Sequence, residues 1–317
     1  MNKFQNSWQL FKSSIAVMAR EKKLLLFPVL TTLCTIVIGA LFLAPVAFQS
    51  SGHSYTSGQH WQAVADRVFD ANTITVAQDS GSRTITTKGA GTIKDQALLY
   101  FALLYFTSMF VATFFNVAFY SQILRALRGE PVSIAAGLAF ACTRWQTILA
   151  WTLFAGLVGY LIAALEERFG VFGALVIRLL GTAWSIACIF VIPVIITGEK
   201  TFNPLTVLKE SALTLRQTWG ESLIGYAGVG FGNMLVLFVS LVWLGGGISV
   251  AVALHLYWVA MLIFGVWLLA ILLWSYLLSV ASQIFRCALF LFAVDGTLPA
   301  PYTREMMALA WKQKKVI

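Results

Sequence analysis

Charge is what this sequence has least of: Asp, Glu, Lys and Arg together make up 11% of its 317 residues, against 59% hydrophobic residues. So little polarity could not cover a water-soluble globule of this length. Apolar runs recur at the ~20-residue length that crosses a bilayer, so hydrocarbon must be the solvent. The alternating ten-residue segments of a membrane barrel are missing. Backbone groups in lipid must be satisfied inside each segment, which leaves helices. Cysteine is also scarce. Cys34, Cys142, Cys188 and Cys287 fall in or beside apolar spans, and the one long polar loop has none. That argues against a disulfide framework, and none of the four has metal-ligand spacing. His53, His60 and His255 form no ligand motif. A phosphate-cradling Gly-rich loop, a nucleophile elbow, a His-Glu-x-x-His pair and a dinucleotide fingerprint are all lacking, so no cofactor is implied. An intramembrane enzyme built from dispersed residues remains open.

The net charge is +9. A nucleic-acid binder would gather that charge on a soluble face, whereas here it is dispersed in short blocks between apolar spans, so no nucleic-acid partner is expected. The positive-inside rule accounts for it. The expected architecture is all-α, with about six transmembrane helices, amphipathic interfacial helices and a small extracytoplasmic cap. Residues 1–23 form a cytoplasmic amphipathic lead-in and 24–48 the first span, too long and too heavily led by charge to be a cleaved signal. Residues 49–96 make the cap, with a helix over Gln59–Ala71 and a hairpin joining Thr73–Val76 to Thr84–Thr86. Five further spans lie in 97–297, near Ala97–Leu124, Thr147–Leu165, Val171–Thr197, Ser222–Leu244 and Trp258–Arg286. Gly245-Gly246-Gly247 is expected to stop the fifth, Ser249–Tyr257 is ambiguous, and 298–317 is a basic cytoplasmic tail. Placing both termini in the cytoplasm puts most of the 22 Lys and Arg inside and leaves Arg168 alone on a short external connection. The expected location is the inner, cytoplasmic membrane.

A cytoplasmic element repeats. Near 203–219, Asn203 and Pro204 open a helix in which Leu205, Leu208, Ala212, Leu215 and Trp219 form an apolar stripe, with Lys209, Glu210, Arg216 and Gln217 on other faces. Near 133–146, Ile134, Leu138, Ala141, Trp145 and Ile148 recur at the same spacing. Phe4, Trp8, Phe11, Ile15 and Met18 make a looser third copy. An internal repeat and three independent lead-ins to membrane hairpins explain this equally well.

Several of these residues carry a resemblance. Ser7-Trp8-Gln9-Leu10 with Leu24-Leu25-Leu26-Phe27-Pro28, Phe115-Asn116, Ala164-Leu165-Glu166-Glu167-Arg168, Ala183-Trp184-Ser185, Thr218-Trp219-Gly220-Glu221 and Phe285-Arg286-Cys287-Ala288-Leu289 resemble a bacterial and archaeal membrane-protein family grouped as domain of unknown function 6159. The resemblance implies a polytopic membrane fold and brings no activity with it.

Candidate functional residues are few. Arg178 stands inside the fourth span, where an arginine near the helix centre costs about 2.5–3.5 kcal/mol and must find a partner or water. Ala174, Gly181, Thr182 and Ser185 share its face, and Glu166 and Glu167 lie within reach if the intervening loop folds over. Asn116 and Asn233 are polar residues inside spans, expected to make interhelical hydrogen bonds of about 1 kcal/mol. Trp145, Trp219 and Trp311 are expected as interfacial anchors. The first functional expectation is a non-enzymatic protein that binds membrane lipids or assembles with another membrane protein or a second copy of itself. The alternative is a channel or transporter for a small solute or ion with Arg178 on the path, and the third reading is an intramembrane lipid-processing enzyme.

Overall fold

A computed structural model describes residues 3–70, 73–75, 86–88, 92–169, 171–199, 202–218, 222–296 and 299–303. Chain order runs through α1 (Lys3–Arg20), a 3-10 turn (Lys22–Leu25), α2 (Leu26–Ala47), α3 (Gly58–Val68), β1 (Phe69–Asp70), β2 (Thr73–Thr75), β3 (Thr86–Lys88), β4 (Thr92–Ile93) and α4 (Asp95–Leu127). It continues through α5 (Ile134–Thr143), α6 (Trp145–Arg168), α7 (Val171–Ala187), α8 (Val191–Thr197), α9 (Pro204–Thr218), α10 (Ser222–Ala253) and α11 (Tyr257–Asp295). Among the described residues, five helical segments are long and apolar enough to cross a membrane: Lys22–Ala47, Asp95–Leu127, Trp145–Arg168, Leu175–Thr197 and Tyr257–Asp295. The protein is an all-α, multi-pass membrane protein. The expected span at 222–244 falls within α10, whose side chains over 222–236 lie outside the described residues.

Contacts divide the chain into two units, Met1–Val29 with Phe114–Ile317, and Leu30–Thr113. The second holds most of α2, the first part of α4 and the polar segment between them. Ser57 caps α3 by accepting from the His60 amide, as a serine at that position should. The strands form two short antiparallel ladders, β1 with β4 and β2 with β3, and the latter aligns Ile74 with Thr87. His60 is fully buried, its Nε2 donating to the Ala47 carbonyl at 2.8 Å and its Nδ1 accepting from the Ser51 hydroxyl at 2.6 Å. Arg67 ties α3 to the end of α2 by donating to the Gln49 side chain at 2.7 Å and the Ser50 carbonyl at 3.1 Å. The Tyr100 hydroxyl donates to Phe42 O at 2.6 Å, joining α4 to α2.

In the larger unit the buried side chains gather at one end of the long helices. They come from Val17, Leu24 and Phe27, from Val117–Leu127 at the end of α4, from Ile148 and Trp151 at the start of α6, from Val191–Ile196 in α8 and from Val280–Phe292 late in α11. Elsewhere the spans expose bulky apolar residues, as at Trp243 (79%) and Met261 (76%), which only hydrocarbon would tolerate. Phe27 stacks on Phe119 at 5.4 Å. Gln122, 1% exposed, accepts from the Ser133 amide at 3.0 Å through its carbonyl oxygen, which fixes the turn into α5. Arg20 donates to the Ala126 carbonyl at the C-terminal end of α4, where a cation meets the negative end of the helix dipole. Ser14 and Tyr302 share a 2.8 Å hydrogen bond that packs the start of the expected tail against α1. Burial pushes the Tyr302 phenol up from its ordinary pKa, with the Ser14 hydrogen bond working the other way.

Four sequence expectations change. The fourth span is interrupted, with a turn at 188–190 between α7 and α8; Pro193 supplies no amide and its ring crowds the carbonyl of Ile189. The glycines at 245–247 do not end α10, because helical backbone costs glycine only about 1 kcal/mol and the apolar sequence on both sides carries the helix through. The chain reverses instead at Leu254–Leu256, where His255 takes φ 57°, so Ser249–Ala253 belongs to α10. The apolar stripe expected of α9 is not its buried face, and within α5 only Ala141 of the expected stripe is buried. α9 packs inward through Val207 and Ser211, and α5 through Gly137 and Ala141, because close approach needs small side chains there.

Gly137 shows how close that approach is: a Cβ built on it would sit 3.0 Å from the Ala118 carbonyl oxygen, from Gln122 Cγ and from Phe27 Cζ. Gly137→Val should destabilise the protein by about 1–3 kcal/mol through overpacking. A clear fall in the melting temperature of the detergent-purified protein would register this, and an unchanged melting temperature would show that α5 does not dock there.

Candidate functional site

The α6–α7 hairpin carries the one strongly charged group predicted inside a span. Its contacts run as a ladder. At the inner end Trp184 stacks on Trp151 at 6.1 Å with an interplanar angle of 7°, and Phe154 closes on Trp184 at 5.8 Å. Farther along, Gly181 faces Ile162, 3.5 Å from where its Cβ would be. At the far end Arg178 Nε donates to Glu166 Oε1 at 2.6 Å. Antiparallel packing of two helices produces this descending and ascending numbering.

Arg178 lies two turns from the start of α7, about 10 Å at the rise of an α-helix, and not at the middle of an unbroken 171–197 span. Helical side chains lean toward the N-terminus, which brings its guanidinium back to Glu166 in the last turn of α6. The arginine side chain is 71% exposed, and among the described residues only its Nε is engaged. Its two terminal amino groups have no partner among the described residues. Thr182 and Ser185 follow on the same face, both exposed, with their hydroxyls donating to the carbonyls of Arg178 (2.8 Å) and Gly181 (2.9 Å) one turn back. Such back-bonding satisfies the hydroxyl protons within the helix and keeps the oxygens available as acceptors.

Glu167 is exposed and makes no ion pair among the described residues. Asn116 is half-buried in α4 and its side chain makes no hydrogen bond among the described residues, so the expected interhelical bond is not seen there. The side chain of Asn233 lies outside the described residues, as do Trp219 and Trp311. Trp145 opens α6 and is half-exposed. Among the described residues no group of three or more His, Cys, Asp or Glu is placed to hold a metal, and all four cysteines are free.

Two residues that sequence reasoning passed over hold the hairpin's inner end. Ser211, fully buried on α9, donates to the Ala187 carbonyl at 2.6 Å and accepts from the Phe190 amide at 3.2 Å. It supplies to both sides of the helix break the partners that the missing turn would have supplied. Arg144, between α5 and α6, donates to the Ile196 carbonyl at 3.3 Å, the C-terminal end of α8, and lies 5.9 Å over the Phe140 ring. Its Nε and Nη1 are buried with no partner among the described residues, and burial lowers its pKa. The only sequence signal for Ser211 was a small polar residue lying between Leu208 and Leu213, and for Arg144 its place beside Trp145.

Fold and site together define a multi-pass helical membrane protein that holds an oriented arginine–carboxylate pair on one of its hairpins. Residues 96–299 match the family of unknown function DUF6159, and the chain belongs to that family. The match contains the whole hairpin, α8 and α9; the opening residues that share in the resemblance precede it. No curated protein and no solved structure matches the chain.

Replacing Ser211 leaves a buried carbonyl and a buried amide unpartnered at the break, each worth about 1–3 kcal/mol. Ser211→Ala should therefore lower stability by roughly 2–4 kcal/mol, read as a loss of thermal midpoint in detergent. A midpoint equal to that of the parent protein would show that water or another group already satisfies the break.

Proposed function

We propose that this protein conducts or transports a small anionic solute across the membrane, with Arg178 on the path. The observation that carries the reading is the half-engaged guanidinium. Glu166 holds Nε and fixes the plane of the group, while the open amino groups form the planar fork that binds carboxylate or phosphate oxygens. A charged fork retained on an apolar hairpin must face water, an anion or a headgroup. The hydroxyls of Thr182 and Ser185 carry a polar face one and two turns farther into the hairpin; with their protons bonded within the helix they offer acceptors to water, and the donors for the anion come from Arg178. The interrupted helix alongside is a further transporter-like feature, since such breaks provide movable joints and unwound backbone in many carriers.

Because α7 packs mainly on α6 and leaves this stripe open, a second copy of the chain, or the partially described α10, supplies the facing wall in this reading. The basic ends of the helices face the cytoplasm and the 49–96 segment faces outward. Binding of lipid, the first expectation from sequence, uses the same fork, with a phospholipid phosphate in place of the solute.

The test is anion flux into liposomes containing the purified protein. Arg178→Ala should reduce flux at least tenfold without loss of folding, because an ion pair this exposed contributes little to stability. Arg178→Lys should retain part of the flux, since it keeps the charge and loses the fork. Flux that is absent, or equal in parent and Arg178→Ala, would overturn the path. A phospholipid that co-purifies with the parent protein and is lost in Arg178→Ala would then assign the fork to lipid.

A further inference from the structure

The expected apolar stripe of α9 and its observed buried face differ, and the difference exposes a surface of mixed character. Val207 and Ser211 point inward, 2% and 0% exposed. The opposite face therefore carries Leu205, Lys209, Leu213 and Arg216, spaced by four, four and three residues, all exposed. Such spacing sets them within an arc of roughly 80° around the helix. Phe202, immediately before the helix, is 65% exposed. No acidic residue shares this face; Glu210 sits about 100° away from Lys209, beside Gly198.

We propose that this face of α9 docks on a membrane surface carrying anionic phospholipid headgroups. Leucines interleaved with cations suit that surface on both counts. The apolar side chains enter the acyl boundary while the ammonium and guanidinium groups meet phosphate, and their aliphatic stems cover the leucines between them. Water would leave Leu205 and Leu213 unsheltered, and a purely apolar partner would leave two cations unpaired. The position agrees. α9 packs against α6, α7, α8 and α11, whose apolar flanks face hydrocarbon, and half-exposed Trp145 opens α6, the helix beside it. Charge complementarity names the occupant: an anionic headgroup layer and not a zwitterionic one, which has no net charge to offer Lys209 and Arg216. The inference stands on α9 alone and does not rest on the anion path, since Arg178 lies on another helix and is read by flux.

Native mass spectrometry of the full chain, titrated in detergent with phosphatidylglycerol and separately with phosphatidylcholine, tests this directly. The parent protein should bind phosphatidylglycerol at least tenfold more tightly. Lys209→Gln with Arg216→Gln should abolish most of that preference, at about fivefold per cation, while Leu205→Ser with Leu213→Ser should weaken both lipids alike. Arg67→Gln, a cation of the other unit, should change nothing. All four α9 positions are exposed, so these variants should fold, and an unaltered melting temperature verifies it. Equal affinity for the two lipids in the parent protein, or a preference that survives in Lys209→Gln/Arg216→Gln, would overturn the proposal.

Discussion

In hydrocarbon there is no water to accept a stray backbone hydrogen bond, and the helical part of this molecule is arranged around that constraint. Each long apolar segment is continuous except the fourth. There the turn at 188–190 removes intrahelical partners, and Ser211 restores two of them with a single hydroxyl. One side chain from a neighbouring helix thus lets the chain break within a span without stranding a carbonyl and an amide. The same logic operates at helix ends: Arg20 meets the last carbonyls of α4, Arg144 meets Ile196 at the end of α8, and Gln122 receives the Ser133 amide at the turn into α5. Cations at the C-terminal ends gain from the helix dipole as well as from the hydrogen bond.

Satisfying the ends in this way concentrates specific packing at one end of the bundle. Small side chains let helices come close there, as Gly137 does against α4, and large ones fill the remainder, as Phe27 and Phe119 do. Away from that end the helices need no such fit, since lipid tails are as apolar as leucine and exert no hydrophobic pressure toward association. The α6–α7 hairpin accordingly keeps to itself over its far half, held by aromatic stacking, a glycine contact and the Arg178–Glu166 pair.

Much of this was legible in sequence. Hydropathy over helical lengths identified the five spans found among the described residues; alternation around a polar turn pointed to a hairpin returning over Thr84–Thr86, whereas Thr73–Thr75 pairs with Thr86–Lys88, farther along; and a lone arginine in an apolar run pointed to a carboxylate within reach. What periodicity could not supply was direction. It grouped Leu205 with Leu208 and Leu215, but which arc of α9 turns inward is decided by neighbours, and close packing chose Val207 and Ser211. Lys209 and Arg216, read from sequence as lying off the apolar stripe, share the exposed face with Leu205 and Leu213. The break before α8 escaped notice because Pro193 sits in a run of Val and Ile whose hydropathy is as high as that of an unbroken span. The persistence of α10 through Gly245–Gly247 has the opposite cause: glycine weakens a helix by an amount that long apolar flanks easily outweigh.

The Arg178–Glu166 pair is better understood as orientation than as stability. At 71% and 36% side-chain exposure, the two charges are screened wherever water or headgroups reach them, and such pairs contribute between nothing and about 1 kcal/mol. A pair worth so little to folding does not by itself repay the cost of placing a guanidinium on an apolar hairpin. Lysine would snorkel as well and pair with Glu166 equally well as a point charge. What arginine adds is planarity: with Nε committed to the carboxylate, the remaining amino groups are held in one plane and one direction, ready for two oxygens of a single anion. A carboxylate that positions a guanidinium while using only one of its nitrogens leaves the anion-binding capacity intact, and this division of the group between structure and recognition is the physical basis on which a ligand for Arg178 is proposed.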